Sequence, residues 1–360
     1  MTSRRVAMLL AAGLAVVAFA IWLSSTRHLE RATLAGDLVL PGLESALNSV
    51  TEVRLAKGDD THATLKRGTS DWLVGERDYP ADSGKVRKLL LDLGALNVVE
   101  EKTRLAANYA QLGVEDVNSP KASGTRVEVV TPAKTYGLII GKSSSAKSGY
   151  VRVVNAPPSM LAAPLVAVDA DPKRWLDHTL LDVAQDRIKE VEVRPAQGPA
   201  YSASRDKKEQ PDFAVSNVPK GRELTSPGAA DSIAGSLVAL TLDDARKQGQ
   251  RSDPKISHVI FRTFDGLELD LSGHKEGTQA LITIAARSTA KDTEGEAQKL
   301  SARLQGWQYE IPAYKYDAIF RPLEDLLKKP PEPPKKADKA KKTSNKKYLS
   351  GATLKAIPRP

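Results

Sequence analysis

The sequence predicts an α+β protein made of two tandem related units, each of mostly antiparallel sheet with packed helices, preceded by one transmembrane helix. Short stretches of alternating apolar and polar residues recur along the chain, and this period of two is typical of strands with one buried face. The order of these stretches repeats at a spacing of about 138 residues. A long uncharged run stands near the N-terminus, and 360 residues suffice for two domains behind it.

Residues 1–27 are predicted to form a membrane anchor. Residues 6–23 carry no charge, and as a helix they would cover about 27 Å of a hydrocarbon core about 30 Å thick. The alternative is a cleaved signal peptide, because Ala18-Phe19-Ala20 resembles a cleavage site. We favour the anchor because the apolar run continues past that site. The predicted location is the bacterial inner (cytoplasmic) membrane, single-pass, with the body in the periplasm or outside.

Residues 28–48 are interpreted as a stalk, and residues 49–170 as the first α+β repeat. Asp82 or Ser83 is a suitable N-cap for a helix with one core-facing apolar stripe. The stripe consists of Val86, Leu89, Leu90, Leu93 and Leu96. Strands are predicted at residues 51–55, 61–65, 72–74, 126–130, 136–140 and 150–154, before a short helical segment that follows Pro157 and Pro158.

Residues 188–327 are interpreted as the second α+β repeat. Ile188 begins a stretch that matches the one beginning at Val50, and Phe213 stands where Trp72 stood. An apolar stripe predicts a counterpart of the long helix, and an additional helix is expected at residues 287–305. That stripe is Ile233, Leu237 and Leu240, and the later strands are predicted at residues 258–263, 267–271 and 281–285.

A junction between the repeats is assigned to residues 171–187. Its Trp175 could be an exposed binding platform, although packing in the core is the favoured interpretation. His178 stands beside Asp177 and near Asp182, which suits either helix capping or an acid/base site. We therefore predict that these four residues form a junction or an interface.

Three sets of residues carry a resemblance to a known family. They are Trp72-Leu-Val with Tyr79-Pro-Ala-Asp82, the strand pair Ile140-Gly-Lys and Gly-Tyr-Val-Arg152, and the Asp-Pro, Trp-Leu-Asp and Leu-Leu-Asp elements of the junction. Together they resemble the bacterial domain of unknown function family 4340 over about residues 50–327, in tandem copies behind an N-terminal membrane anchor. The resemblance implies duplicated α+β units encoded beside ABC-type permeases and a gliding-motility-like auxiliary protein. It implies no catalytic residue, because no activity is established for that family.

The residue inventory excludes several kinds of chemistry. The chain has no cysteine, so a disulfide, a thiolate metal site and a cysteine nucleophile are excluded. Its five histidines are scattered without metal-ligand spacing, and only three residues separate Gly137 from Gly141, where a phosphate-binding loop needs four. We therefore expect no catalytic, cofactor-binding or metal-ligating residue, and no cofactor.

The excess of positive charge lies in the C-terminal residues 328–360. They hold eleven Lys and Arg residues against two acidic ones, and the rest of the chain holds equal numbers of each. Nucleic acid is therefore not an expected partner. The Pro- and Lys-rich composition predicts a disordered basic tail, which either aids solubility or binds anionic lipid or a cell-wall polyanion.

These observations predict a protein without enzymatic activity. We expect a single-pass envelope scaffold or accessory component, with an ABC-type transport system as the candidate partner. One alternative is an envelope hydrolase or transferase with its site between the repeats, near Trp175 to Asp182. The other is a polyanion or cell-wall tether that acts through the basic tail.

Overall fold

A computed structural model describes residues 15–19, 36–119, 121–249 and 255–329. Antiparallel β-sheet is the main regular structure of this part of the chain, and the helices are few and short. The predicted α+β class is therefore wrong. The basic tail lies outside the described residues, apart from its first two lysines.

No helix within the described residues is long and apolar enough to cross a membrane. Residues 15–19 are helical, and the other residues of the predicted anchor lie outside the described part of the chain. We correct the prediction accordingly: the structure gives no support for a transmembrane helix, for a single-pass membrane protein, or for the inner-membrane location that rested on that helix.

The first sheet holds nine strands among the described residues, and neighbouring strands run antiparallel in the order β4-β3-β2-β1-β6-β7-β8-β9-β5. Its strands are β1 (Glu52–Ala56), β2 (His62–Arg67), β3 (Trp72–Val74), β4 (Tyr79–Pro80), β5 (Asn97–Thr103), β6 (Thr125–Val130), β7 (Thr135–Ser143), β8 (Gly149–Val153) and β9 (Ser159–Ala163). The segment after Pro158, expected to be helical, is therefore a strand.

A small sheet and a larger one follow. The small sheet pairs β10 (Thr179–Leu181) with β14 (Leu240–Thr241). The larger sheet has the order β13-β12-β11-β16-β17-β18-β19-β15 among the described residues, again antiparallel. Its strands are β11 (Ile188–Arg194), β12 (Tyr201–Ser204), β13 (Ala214–Val215), β15 (Asp244–Lys247), β16 (Ser257–Thr263), β17 (Leu267–Glu276), β18 (Gln279–Ser288) and β19 (Trp307–Ile311).

The two large sheets share one strand order. In each, the first strand lies between the second strand and the strand that opens the later meander. In each, a strand from the middle of the unit, β5 or β15, crosses to the far edge and pairs with the last strand, β9 or β19. The same order of pairing therefore occurs twice along the chain.

Short helices accompany both large sheets. Beyond the helical residues 15–19, the described α-helices are α1 (Leu43–Ala46), α2 (Ser83–Gly94), α3 (Tyr109–Leu112), α4 (Asp231–Ala234), α5 (Glu294–Leu304) and α6 (Ala313–Ile319). Asp82 caps α2 by accepting a hydrogen bond from the Lys85 N–H, as the sequence predicts. The predicted counterpart in the second unit is wrong, because α4 ends after four residues and Leu240 lies in a strand.

The core is continuous across both sheets. Strand β6 alternates buried and half-buried residues, and β16 alternates buried residues with exposed or half-buried ones, so each sheet turns one face inward. The predicted apolar stripe is buried in the core, although Leu96 lies just beyond the end of α2. Helices α4 and α6 contribute Ile233 and Ile319 beside the second sheet. One cluster of buried apolar residues includes members of both units.

Two arginines 138 residues apart occupy corresponding places in the two units. The guanidinium of Arg205 donates to three backbone carbonyls at the start of β11, among them that of Ile188 at 3.0 Å, and to two in the loop after β12. It lies 4.7 Å from the ring centre of Phe213. Arg67 donates to the carbonyls of Asn48 and Val50 and lies 5.8 Å from the ring centre of Trp72. Each arginine thus holds the approach to the first strand of its sheet.

Replacement of Arg205 by methionine should lower the free energy of unfolding by about 3 kcal/mol. The side chain is buried, so its loss removes the donors of several carbonyls that water reaches poorly. Urea unfolding followed by circular dichroism measures the difference.

Arg67→Met is the matched control. Arg67 is exposed and donates to two carbonyls, so its replacement should cost about 1 kcal/mol. Equal losses in the two variants would contradict the role assigned to burial.

Candidate functional site

The predicted junction is hydrogen-bonded to both units through its backbone. The N–H of Asp177 donates to the carbonyl of Pro80 at 2.9 Å, at the edge of the first sheet. One residue later, the carbonyl of His178 accepts the N–H of Leu242 at 3.0 Å, from the second unit. The junction therefore lies where the two units meet.

Trp175 ends a 3-10 helix, Pro172–Trp175, and its side chain is almost fully buried. The indole N–H donates to the carbonyl of Asp169 at 2.7 Å, so the polar atom of the ring has a partner. One part of the ring lines a surface groove beside α2. Trp175 is thus both a core residue and part of the lining of a groove.

The side chains of the other three predicted site residues form hydrogen bonds to backbone groups. Asp177 accepts the N–H of Thr179 at 3.0 Å, and Asp182 accepts the N–H of Ala239 at 3.0 Å. His178 places its Nδ1 2.6 Å from the carbonyl oxygen of Leu242, to which it donates. The three side chains fix turns around β10 and do not converge on one point.

Four charged side chains join the units, and we call them the junction ion cluster: Arg77, Lys173, Asp244 and Glu310. Arg77 donates to both carboxylate oxygens of Asp244, at 2.7 and 3.1 Å. The Lys173 Nζ lies 3.3 Å from Asp244 and 3.4 Å from Glu310. The cluster connects the turn after β3, the junction, and strands β15 and β19.

Aromatic contacts lie beside the junction ion cluster. The ring of Tyr79 meets the ring of Trp307 edge to face with 4.9 Å between the ring centres, and that of Tyr309 at 6.0 Å. The ammonium of Lys247 lies 3.8 Å above the ring centre of Trp307 and 3.3 Å from the carboxylate of Asp78. Strand β4 of the first sheet therefore packs against β15 and β19 of the second.

Two adjacent carboxylates at the edge of the second sheet have opposite pKa shifts. Burial raises the pKa of Asp243, and the negative charge of Glu310 adds to that effect. Burial would also raise the pKa of Asp244, but hydrogen bonds from Arg77 and the charge of Lys173 outweigh it and hold this pKa below its usual value. Asp244 therefore stabilises the fold in its ionised form.

No pattern in the sequence predicts the junction ion cluster. Asp244 lies 167 residues from Arg77, and strand β15, which positions it, was not predicted. Charged residues occur throughout the chain, and no spacing distinguishes these four from the others. Only the pairing of β15 with β19 brings Asp244 and Glu310 side by side.

A groove of about 630 Å³ lies beside the junction, between α2 and the segment of residues 165–175. We call it the α2 groove. Its apolar lining includes Leu89, Leu165, Val168 and Trp175, and its charged lining consists of Lys85, Lys88, Asp92, Asp169 and Arg174. Of the four junction residues predicted from the sequence, all of them described, only Trp175 lines it.

Metal binding finds no support in the described part of the chain. No group of three His, Asp or Glu side chains there is arranged so that it could hold a metal ion. The acidic groups at the junction are instead matched with Arg77 and Lys173. The junction ion cluster can fix the two sheets in one relative position, and the α2 groove remains open beside it.

Comparison with known protein families gives one match. The sequence model described as "Domain of unknown function (DUF4340)" matches residues 72–257, just over half of the 360 residues. The chain belongs to this family. No curated protein and no solved structure matches it.

The DUF4340 match is shorter than the expected resemblance over residues 50–327, and it is continuous across the junction. It begins at Trp72 in β3 and ends at Ser257, the first residue of β16. It therefore includes the α2 groove and parts of both large sheets. The match does not divide into one copy for each sheet, which leaves tandem copies of the family domain a prediction.

Asp244→Asn should lower the free energy of unfolding at pH 7 by about 1 to 3 kcal/mol. The change removes the charge that pairs with Arg77 and Lys173, both of which are partly buried. Because the folded-state pKa of Asp244 is depressed, its contribution exists above the ordinary value of 3.8 and is lost as the pH falls through the folded-state pKa. Urea unfolding at several pH values from 7 to 3 measures this effect. The difference in free energy of unfolding between the variant and the unchanged protein should become smaller below about pH 4.

Asp243→Asn is the matched control at the adjacent position. Its raised pKa means that folding disfavours the ionised form, so the amide should leave stability at pH 7 unchanged or slightly higher. A loss at Asp243 as large as the loss at Asp244 would contradict the proposed ion cluster.

Proposed function

We propose that this protein is a non-catalytic scaffold or accessory component that holds a partner protein at the α2 groove. The observation that carries the proposal is the groove itself, which has an apolar floor and charged walls and lies on the junction of the two units. Grooves of this size accommodate side chains of a partner. The junction ion cluster supports a fixed relation between the two sheets, as a scaffold requires.

The chemistry of the junction also favours binding over catalysis. An enzyme between the units would need His178 and the nearby carboxylates to converge on a pocket. The side chain of His178 donates to a backbone carbonyl instead, and the carboxylate of Asp182 accepts a backbone N–H. Among the described residues that line the α2 groove, the acidic groups are Asp92 and Asp169, each paired with a cation.

We propose that the partner protein belongs to an ABC-type transport system. The DUF4340 resemblance implies genes for permeases of this type as neighbours, and the family is described as a domain of unknown function. A permease or its ATPase is therefore the first partner to seek at the α2 groove.

Site-specific photo-crosslinking in the native host tests the proposal. A photoreactive amino acid replaces Lys88 at the α2 groove in the full chain at native abundance, and attached proteins are identified by mass spectrometry. We expect a transporter subunit to be attached through position 88, because this side chain lies on the groove and is largely exposed.

Position 314 is the control, because Tyr314 is equally accessible on α6 and is absent from the described lining of the groove. Attachment of the same proteins through both positions, or of none through position 88, would overturn the proposed function.

A further inference from the structure

We infer that the α2 groove recognises a short acidic segment of the partner protein, bound in an extended conformation with one apolar side chain on the floor. This inference rests on the proposed function and names the chemistry of the partner. Three independent features of the groove support it: the floor, an unpaired stretch of backbone and the exposure of the cations.

The floor of the α2 groove is apolar and firmly packed. Leu89 and Trp175 are buried residues of the main core, and each shows part of its side chain to the groove. Leu165 and Val168 are half-buried and lie on the opposite wall. An apolar side chain that covers such a surface is removed from water, and this burial favours binding.

One wall of the groove offers unpaired backbone groups. After β9 ends at Ala163, residues 165–168 belong to no helix or strand. Within the described part of the chain, the N–H and C=O groups of these four residues make no hydrogen bond to protein. Val166 is buried, whereas Leu165, Ala167 and Val168 line the groove. An extended peptide that lies along the segment can pair with backbone groups of these three residues, as peptides do when they add to the edge of a sheet.

The exposed charge of the groove is positive. Lys88 and Arg174 have side chains 74% and 73% exposed, whereas their acidic partners Asp92 and Asp169 are 22% and 43% exposed. The cations therefore extend further into solvent than the acids. The Arg174–Asp169 distance is 3.8 Å and the Lys85–Asp82 distance is 3.5 Å, so a carboxylate of the partner can compete for these weak surface pairs.

The three features together favour an acidic peptide over a free phosphate and over an apolar peptide. A free phosphate would use the cations but would leave the apolar floor and the unpaired backbone exposed. An apolar peptide without acidic residues would leave the cations unmatched. An extended segment with one apolar residue between acidic residues uses all three features.

An array of immobilised eight-residue peptides tests the inference with the folded full-length protein. Each peptide has a leucine at its centre, and the flanking residues are acidic, neutral or basic. A second set replaces the central leucine by serine, and a third carries N-methyl groups on the central backbone nitrogens. We expect at least tenfold more protein on the acidic peptides than on the basic ones, with clear losses in the second and third sets.

A triple variant reverses the charge of the groove: Lys85→Glu, Lys88→Glu and Arg174→Glu. It should lose the preference for acidic peptides and favour basic ones. Lys207→Glu, Lys208→Glu and Lys220→Glu make the same change in net charge at exposed positions outside the described lining of the groove, and this control should keep the acidic preference. Urea unfolding of both variants checks that they fold.

Binding without a preference for acidic flanks, or an equal loss in both triple variants, would overturn the inference. The inference on peptide chemistry and the proposed function can fail separately. If position 88 is attached to a transporter subunit but the array shows no acidic preference, the proposed function stands and the peptide chemistry is wrong. If position 88 captures nothing while the array shows the preference, the groove binds acidic peptides and the transporter proposal fails.

Discussion

The carboxylate of Asp244, shared between Arg77 and Lys173, is the contact on which the arrangement of the two units depends. It is the point at which the turn after β3, the junction and the edge strand β15 meet. A carboxylate that is only 18% exposed loses much of its hydration, and two cations in direct contact are what offset that cost. Because each charge in the cluster needs the others, a displacement of one unit would leave partly buried charges without partners. The cluster thereby favours one relative position of the sheets over neighbouring ones.

The same contacts cover two sheet edges. Strands β4 and β15 stand at the ends of their sheets, where unpaired backbone groups could recruit another chain. Tyr79 of β4 packs against the rings of Trp307 and Tyr309 on β19, the strand paired with β15. The isolated bridge between Ala81 and Leu176 continues the pairing from β4 into the junction. The junction therefore pairs with the segment of β4, and side chains of the two units pack against each other beside both edges.

Local features of the fold could be predicted from the sequence, and those set by contacts between distant residues could not. The cap at Asp82 and strand β3 follow from short patterns that the structure confirms. The stripe of Ile233, Leu237 and Leu240 has helical spacing, yet a four-residue helix, a 3-10 turn and a strand place all three in the core. Strand β15 is short and polar, so nothing in its composition marks it, and the ion cluster that it carries was missed with it. Of the predicted junction residues, Trp175 lines the α2 groove and the others hold backbone.

The α2 groove is itself a consequence of this connectivity. Strand β5 occupies the far edge of the first sheet and pairs with β9. The chain that leaves β9 at Ala163 therefore cannot continue as a further strand beside β9. It must nevertheless reach the junction, whose 3-10 helix is capped by Asp171, and it passes α2 on the way. The N-terminal half of α2 presents Lys85 and Lys88 on that side, and its buried stripe supplies Leu89. The segment of residues 165–168 does not join the sheet, and it supplies the unpaired backbone. It lies beside α2, which supplies part of the apolar floor and the positive charge of the walls. The physical requirements that join the two sheets are the ones that create a surface suited to a partner.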